Sequence, residues 1–126
     1  MTRKAAVACR LRPRLRVLRG EEIVLGPGKA DLLEAIARTG ELRRAAGRLG
    51  MSYMRAWKLV QTMNRAFRGP LVEATRGGAG HGAARLTETG KTVLAVYRDM
   101  ERRSLAAGGP GFRRLRRLLA DQTRDT

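Results

Sequence analysis

The stretch from Glu41 to Phe67, ELRRAAGRLGMSYMRAWKLVQTMNRAF, decides the fold. Leu42, Ala45, Ala46 and Leu49 recur at the three- and four-residue spacing of one helical face. The alanines are small enough to let another helix backbone come close. Gly50 suits the left-handed position that closes such a helix, Met51 fills the turn, and Ser52 is a good N-cap for the next helix. That second helix is predicted from Tyr53 to Phe67, with Ala56, Trp57, Val60, Met63, Asn64 and Phe67 on one face. Arg55, Lys58, Gln61, Thr62 and Arg65 occupy the other face. Two short helices separated by a glycine turn make a helix-turn-helix.

Towards the amino terminus, Pro27 suits the first turn of a helix. Leu32, Leu33, Ile36 and Ala37 mark its buried face, and Arg38, Thr39 and Gly40 close it. Further upstream, Leu11, Leu15 and Val17 alternate with arginines at strand period, and Ile23–Leu25 form a second apolar run. RGEE between them is a hairpin connection with Gly20 in an unusual backbone angle; Pro13 marks an edge strand. Towards the carboxyl terminus, Gly69 and Pro70 stop the second helix. Leu71–Thr75 and Ala83–Leu86 are strand candidates flanking RGGAGHG, residues 76–82, which predicts a β-hairpin wing. Thr87 caps a long helix over residues 88–106, built on Val93, Leu94, Tyr97 and Met100. GGPG at 108–111 breaks the chain, and FRRLRRLLA after it forms a short basic amphipathic helix.

The elements add up to a mainly α protein with small β-hairpins: a winged helix-turn-helix with a three-helix core, an N-terminal hairpin and a long C-terminal helix. A basic flexible arm is expected at residues 1–10, the winged domain at 11–107, and a linker with the short basic helix at 108–126.

Twenty-seven Lys and Arg against 11 Asp and Glu give a net charge of +16 in 126 residues, which calls for a polyanionic partner. No apolar run approaches the roughly 20 residues of a spanning helix, and AAVAC near the amino terminus is too short for a signal peptide. A cytoplasmic protein with no membrane partner is expected. Cys9 and His81 are the only residues of their kinds, whereas zinc takes about four ligands, at least three of them from the protein. Neither a metal nor a cofactor is expected. Glu34, Glu73 and Asp99 are scattered and no nucleophile–base pair is visible, so no enzyme is predicted.

A helix-turn-helix places the first turn of its second helix in the major groove of double-stranded DNA. Ser52, Tyr53, Met54, Arg55 and Lys58 are therefore the candidate base contacts, Arg55 being able to make paired hydrogen bonds to guanine. From Ser52 to Arg68 there are four cations and no acid. Arg43, Arg44 and Arg65 are candidate phosphate contacts. The wing offers Arg76, Gly77, Gly78, Gly80, His81, Gly82 and Arg85; its glycines lack the lysine and serine of a nucleotide-binding loop. Trp57 is expected to anchor the core.

The fragments GMSYMRAW, MN, LVE and RLTETG, with the spaced glycines between the last two, resemble the DNA-binding domain of ModE-type molybdate-responsive transcription regulators across residues 30–102. A more distant likeness is to LysR-type regulators. The resemblance implies a winged helix, a homodimer and a palindromic operator, with dimer contacts carried by the hairpin at 11–25 and the helix at 88–106. In that family a small hydroxyl residue often stands where this chain has Arg43, capping the supporting helix. Full regulators of the type continue into molybdate-binding domains, and this chain is expected to act without one. Two other readings stay open: an architectural protein that binds DNA regardless of sequence, and a winged helix that docks an acidic protein.

Overall fold

The computed structural model describes residues 5–75, 82–120 and 123–124. In chain order the elements are β1 (Ala5–Ala6), β2 (Val17–Arg19), β3 (Glu22–Leu25), α1 (Pro27–Thr39), α2 (Leu42–Arg48), α3 (Tyr53–Ala66), β4 (Val72–Ala74), β5 (Ala84–Leu86), α4 (Glu88–Leu118) and β6 (Thr123–Arg124). Three antiparallel pairs form among the described strands: β1 with β6, β2 with β3, and β4 with β5. The chain divides into two units. One is Arg14–Asp99; the other joins Met1–Pro13 to Met100–Thr126. Helix α4 has residues in both.

The larger unit is the winged helix-turn-helix. Its core takes Leu32, Leu33 and Ile36 from α1, Leu42, Ala45 and Ala46 from α2, and Ala56, Val60 and Met63 from α3. Leu25, Leu71, Val72, Ala84, Leu86 and Tyr97 also belong to it, with Ala30 and Ala35 of α1. Gly50, with φ at 67°, takes the left-handed conformation that glycine adopts without a Cβ penalty. The chain then reverses, and the Met51 N–H donates to the Ala46 carbonyl at 3.0 Å.

Three side chains lock the remaining elements to the helices. Asn64, on the partly buried side of α3, accepts from the Leu71 and Val72 N–H groups at 2.8 and 3.1 Å and donates to the Val72 carbonyl at 3.0 Å. Thr87 caps α4: its hydroxyl accepts from the Gly90 N–H at 3.0 Å and donates to the Pro70 carbonyl at 2.6 Å. Tyr97 is fully buried, and its hydroxyl donates to the Leu15 carbonyl at 2.7 Å. On the rim of the same helix, Arg98 pairs with Asp31 at 2.9 Å and Glu34 at 3.2 Å. Lys29 donates to the Ile23 carbonyl and joins α1 to β3. Burial lowers its pKa against the opposing pull of Glu22.

In the smaller unit, Ala5 pairs with Arg124 and Ala6 with Thr123, so the basic arm expected at residues 1–10 contributes a strand. The break expected at GGPG is absent: α4 continues through Pro110 to Leu118. A proline inside a helix removes one N–H donor, here the one that would reach Ala106, and the rest of the ladder persists. Gly108 also makes room for a neighbour. A methyl group there would lie 2.9 Å from Leu11 Cδ2.

Two smaller differences come from backbone chemistry. Strand β2 begins at Val17, not at residue 11, in keeping with Pro13, which cannot donate to a ladder. Helix α3 ends at Ala66, and Phe67 is already extended, so the stop precedes the Gly69–Pro70 pair.

Gly90 is the tightest point of the fold. A Cβ on it would sit 2.1 Å from the Leu71 carbonyl oxygen. Gly90→Ala should therefore destabilise the protein by at least about 1–3 kcal/mol, the usual cost of overpacking. Gly47→Ala, in a helix and with nothing within 4 Å of the new methyl, should be neutral or stabilising by about 0.4–1 kcal/mol. Urea unfolding of the two variants measures the contrast; equal midpoints would remove the close approach from the account.

Candidate nucleic-acid interface

The candidate interface begins at the N-terminus of α3. Ser52 is extended, with φ −70° and ψ 156°, and its Oγ accepts from the Arg55 N–H at 3.1 Å. That bond satisfies one of the orphan donors of the first turn and sets the direction in which α3 leaves the turn. Tyr53 and Met54 then stand exposed at 39% and 57%. Arg55, Lys58 and Arg65 are exposed beyond them, while Ala56, Val60 and Met63 turn inward. No acid stands in the first turn of α3.

Helix α2 brings a further cation to this end. The Arg43 guanidinium lies over the Tyr53 ring, 5.0 Å from its centroid. Such a contact is worth about 0.5–1 kcal/mol at an exposed site, and it holds both side chains at the mouth of the helix-turn-helix. Arg44, next to it, reaches back to Glu41 at 2.9 Å.

The N-cap of α2 is Glu41, not residue 43, and no side chain caps it. The capping position suggested by the family likeness is thus misplaced by two residues. Other groups hold this helix end. Glu41 forms a β-bridge with Ala83, and the Gly40 carbonyl accepts from the Ala84 N–H at 2.9 Å. The wing therefore braces the supporting helix, and Arg43 is left to stack on Tyr53.

In the wing, Glu73 faces Arg85 across the β4–β5 pair, and the Arg85 Nε and Nη2 donate to Glu73 Oε2 at 3.1 and 2.9 Å. Arg85 thus has an acidic neighbour that sequence order, twelve residues away, does not disclose. Gly82 is half-buried. Arg76, Gly77, Gly78, Gly80 and His81 lie outside the described residues. Trp57 is half-buried and packs against the core; the largest fully buried side chain is Tyr97. Asn64 is the residue most easily missed in the sequence. Its signal is a polar amide on an apolar helical face, which must find hydrogen-bond partners.

Residues 29–91 match the family of bacterial regulatory helix-turn-helix proteins of the lysR type. The chain belongs to this family. It is also similar to proteins named for molybdenum or for transcription regulation. It is 45% identical over 74 residues, 59% of this chain and 28% of the relative, to the molybdenum transport protein ModE of Herbaspirillum seropedicae. It is 46% identical over 77 residues, 61% of this chain and 29% of the relative, to the molybdenum-pterin-binding protein MopA of Rhodobacter capsulatus. To the DNA-binding transcriptional dual regulator ModE of Escherichia coli (strain K12) it is 34% identical over 77 residues, again 61% of this chain and 29% of the relative. The chain spans less than a third of the length of these relatives. Among the described residues, no helix is long and apolar enough to cross a membrane.

The cap at Ser52 sets the first turn of α3. Ser52→Ala should cost about 1 kcal/mol of stability and Ser52→Gly only a few tenths. Thermal unfolding of the two variants against the parent checks the order; a Gly variant as unstable as the Ala variant would show that the hydroxyl's bond to the Arg55 N–H is not what stabilises the turn.

Proposed function

We propose that this helix-turn-helix regulator acts as a homodimer on a palindromic DNA operator, with the first turn of α3 in the major groove. The observation that carries the reading is the exposed, acid-free face that begins at Ser52. Tyr53 and Met54 stand exposed there, and Arg55 beside them has no ion partner among the described residues, one helical turn before Lys58. In this reading Arg55 pairs with a guanine edge and Met54 meets a thymine methyl. Arg43, Arg44 and Arg65 hold phosphates, with Arg43 braced by Tyr53. The wing, through Arg76 to Arg85, follows the neighbouring backbone.

Exposed apolar side chains support the dimer. Val17, Leu18 and Ile23 stand on the β2–β3 hairpin, and Val96, Met100 and Leu105 on α4. Both elements are those that the family likeness assigns to dimer contacts. A two-fold dimer presents two recognition helices about one DNA turn apart, and its operator is an inverted repeat. Regulation takes place in the cytoplasm by occupancy of the operator. The names of the relatives make molybdate the first effector to test.

Selection from random duplexes near 150 mM salt, followed by sequencing, should recover an inverted repeat. Arg55→Ala should then relax preference at one position of each half-site, at a cost of about 1–3 kcal/mol. Parent-like preferences in that variant would misplace α3. Binding with no enrichment would favour an architectural protein instead, and no binding at all would favour a protein-docking module.

A further inference from the structure

The end of α4 carries charge that the recognition helix does not use. From Arg102 to Ala120 the chain has six arginines and no acid. Four of them, Arg113, Arg114, Arg116 and Arg117, fall within five positions of an unbroken helix and all are exposed. At about 100° and 1.5 Å per residue they span an arc of roughly 160° and about 6 Å of helix axis. Phe112, Leu115, Leu118 and Leu119 occupy the opposite side.

Five exposed cations elsewhere have an acid within reach, Arg19 with Glu22, Arg38 with Glu34, Arg44 with Glu41, Arg85 with Glu73, and Lys91 with Glu88, while those of the α3 face, Arg55, Lys58 and Arg65, have none among the described residues. Among the described residues the four arginines of α4 have none. Like charges three and four residues apart repel on a helix. The helix dipole favours cations in the last turn, which accounts for Arg116 and Arg117 but not for the pair one turn earlier. An external polyanion that neutralises all four accounts for the whole set.

We propose that this arginine face is a second DNA-binding surface, which grips duplex phosphates without reading sequence. The match is one of charge density: duplex DNA carries one negative charge per about 1.7 Å of axis, and four guanidiniums along about 6 Å of helix suit that density. Guanidinium groups also bind phosphate through paired hydrogen bonds. The proposal rests on the DNA-binding function above. It adds a contribution to affinity that leaves base preference unchanged.

The test uses the full chain with Arg113, Arg114, Arg116 and Arg117 all changed to Gln. A control carries Arg16→Gln, Arg19→Gln, Arg38→Gln and Lys91→Gln, which lowers the net charge equally. Circular dichroism verifies that each retains its helix. Binding to the selected operator and to an unrelated duplex is measured by fluorescence anisotropy between about 50 and 200 mM salt, the range over which counterion release is steep. Removing one arginine–phosphate pair should flatten the slope of log affinity against log salt by about 0.9. The α4 variant should flatten it by about two to four such steps per bound protomer on both duplexes, and the preference for operator over unrelated DNA should stay within two-fold of the parent. The control should keep nearly the parent slope.

An unchanged slope in the α4 variant overturns the proposal, as does an equal flattening in the control, which would trace the effect to net charge alone. Binding of the parent to phosphatidylserine vesicles, abolished in the α4 variant while its DNA slope stays the same, assigns the face to a membrane surface and also overturns it. A parent that binds neither duplex fails at the DNA-binding function itself, and a parent that binds both equally fails only at operator recognition. Both are separate from the slope difference read here.

Discussion

Leu71 joins three elements through its backbone. Its N–H goes to the Asn64 side chain on α3, and its carbonyl accepts the Thr87 N–H at 2.9 Å. Gly90 lies against that same carbonyl, so closely that any side chain there collides with it. The end of the recognition helix, the start of the wing and the start of α4 therefore meet at one residue, whose own side chain is fully buried. Backbone groups buried at such a junction must find partners, because an unpaired one costs about as much as a broken hydrogen bond. Here they are satisfied by the Asn64 amide and the Thr87 N–H. The orientation of α3 relative to the wing is set by this junction.

The same junction explains why parts of the fold were legible in the sequence. Glycine turns, caps and the three- to four-residue apolar spacing are local rules, and they located α1, α2, α3 and the turn at Gly50. RLTETG was legible as a cap because Thr87 and Gly90 act within one helical turn. The features that stayed hidden depend on partners far along the chain. Tyr97 reaches Leu15 across 82 positions, and Arg98 reaches Asp31 across 67. Nothing local separates Tyr97 from the other apolar residues of its helix, whereas Trp57 draws attention by size alone and ends only half-buried. The GGPG segment misled for the same reason. Its residues are poor helix formers one by one, yet the space at Gly108 is filled by Leu11, a residue nearly a hundred positions earlier. Arg43 is a subtler case. Its role depends on the geometry of the helix-turn-helix itself, which brings α2's first turn over Tyr53.

The placement of acids completes the logic of the surface. Exposed ion pairs such as Arg44 with Glu41 or Arg85 with Glu73 add little stability in water. Their larger effect is on the electrostatic field: each acid cancels a neighbouring cation at distances beyond the contact itself. Acids stand on the β2–β3 hairpin, on α1, at the start of α2, on β4 and in the first half of α4, and none lies between Ser52 and Arg68. The scaffold is thus partly neutralised while the face of α3 keeps its full charge. A uniformly basic protein with the same total would attract DNA equally in every orientation. In the proposed DNA-binding reading, the acid-free faces, α3 and the arginine end of α4, attract a duplex more strongly than the partly neutralised scaffold, because local charge steers association. In that reading, neutralising the scaffold acts on the rate and orientation of encounter more than on stability.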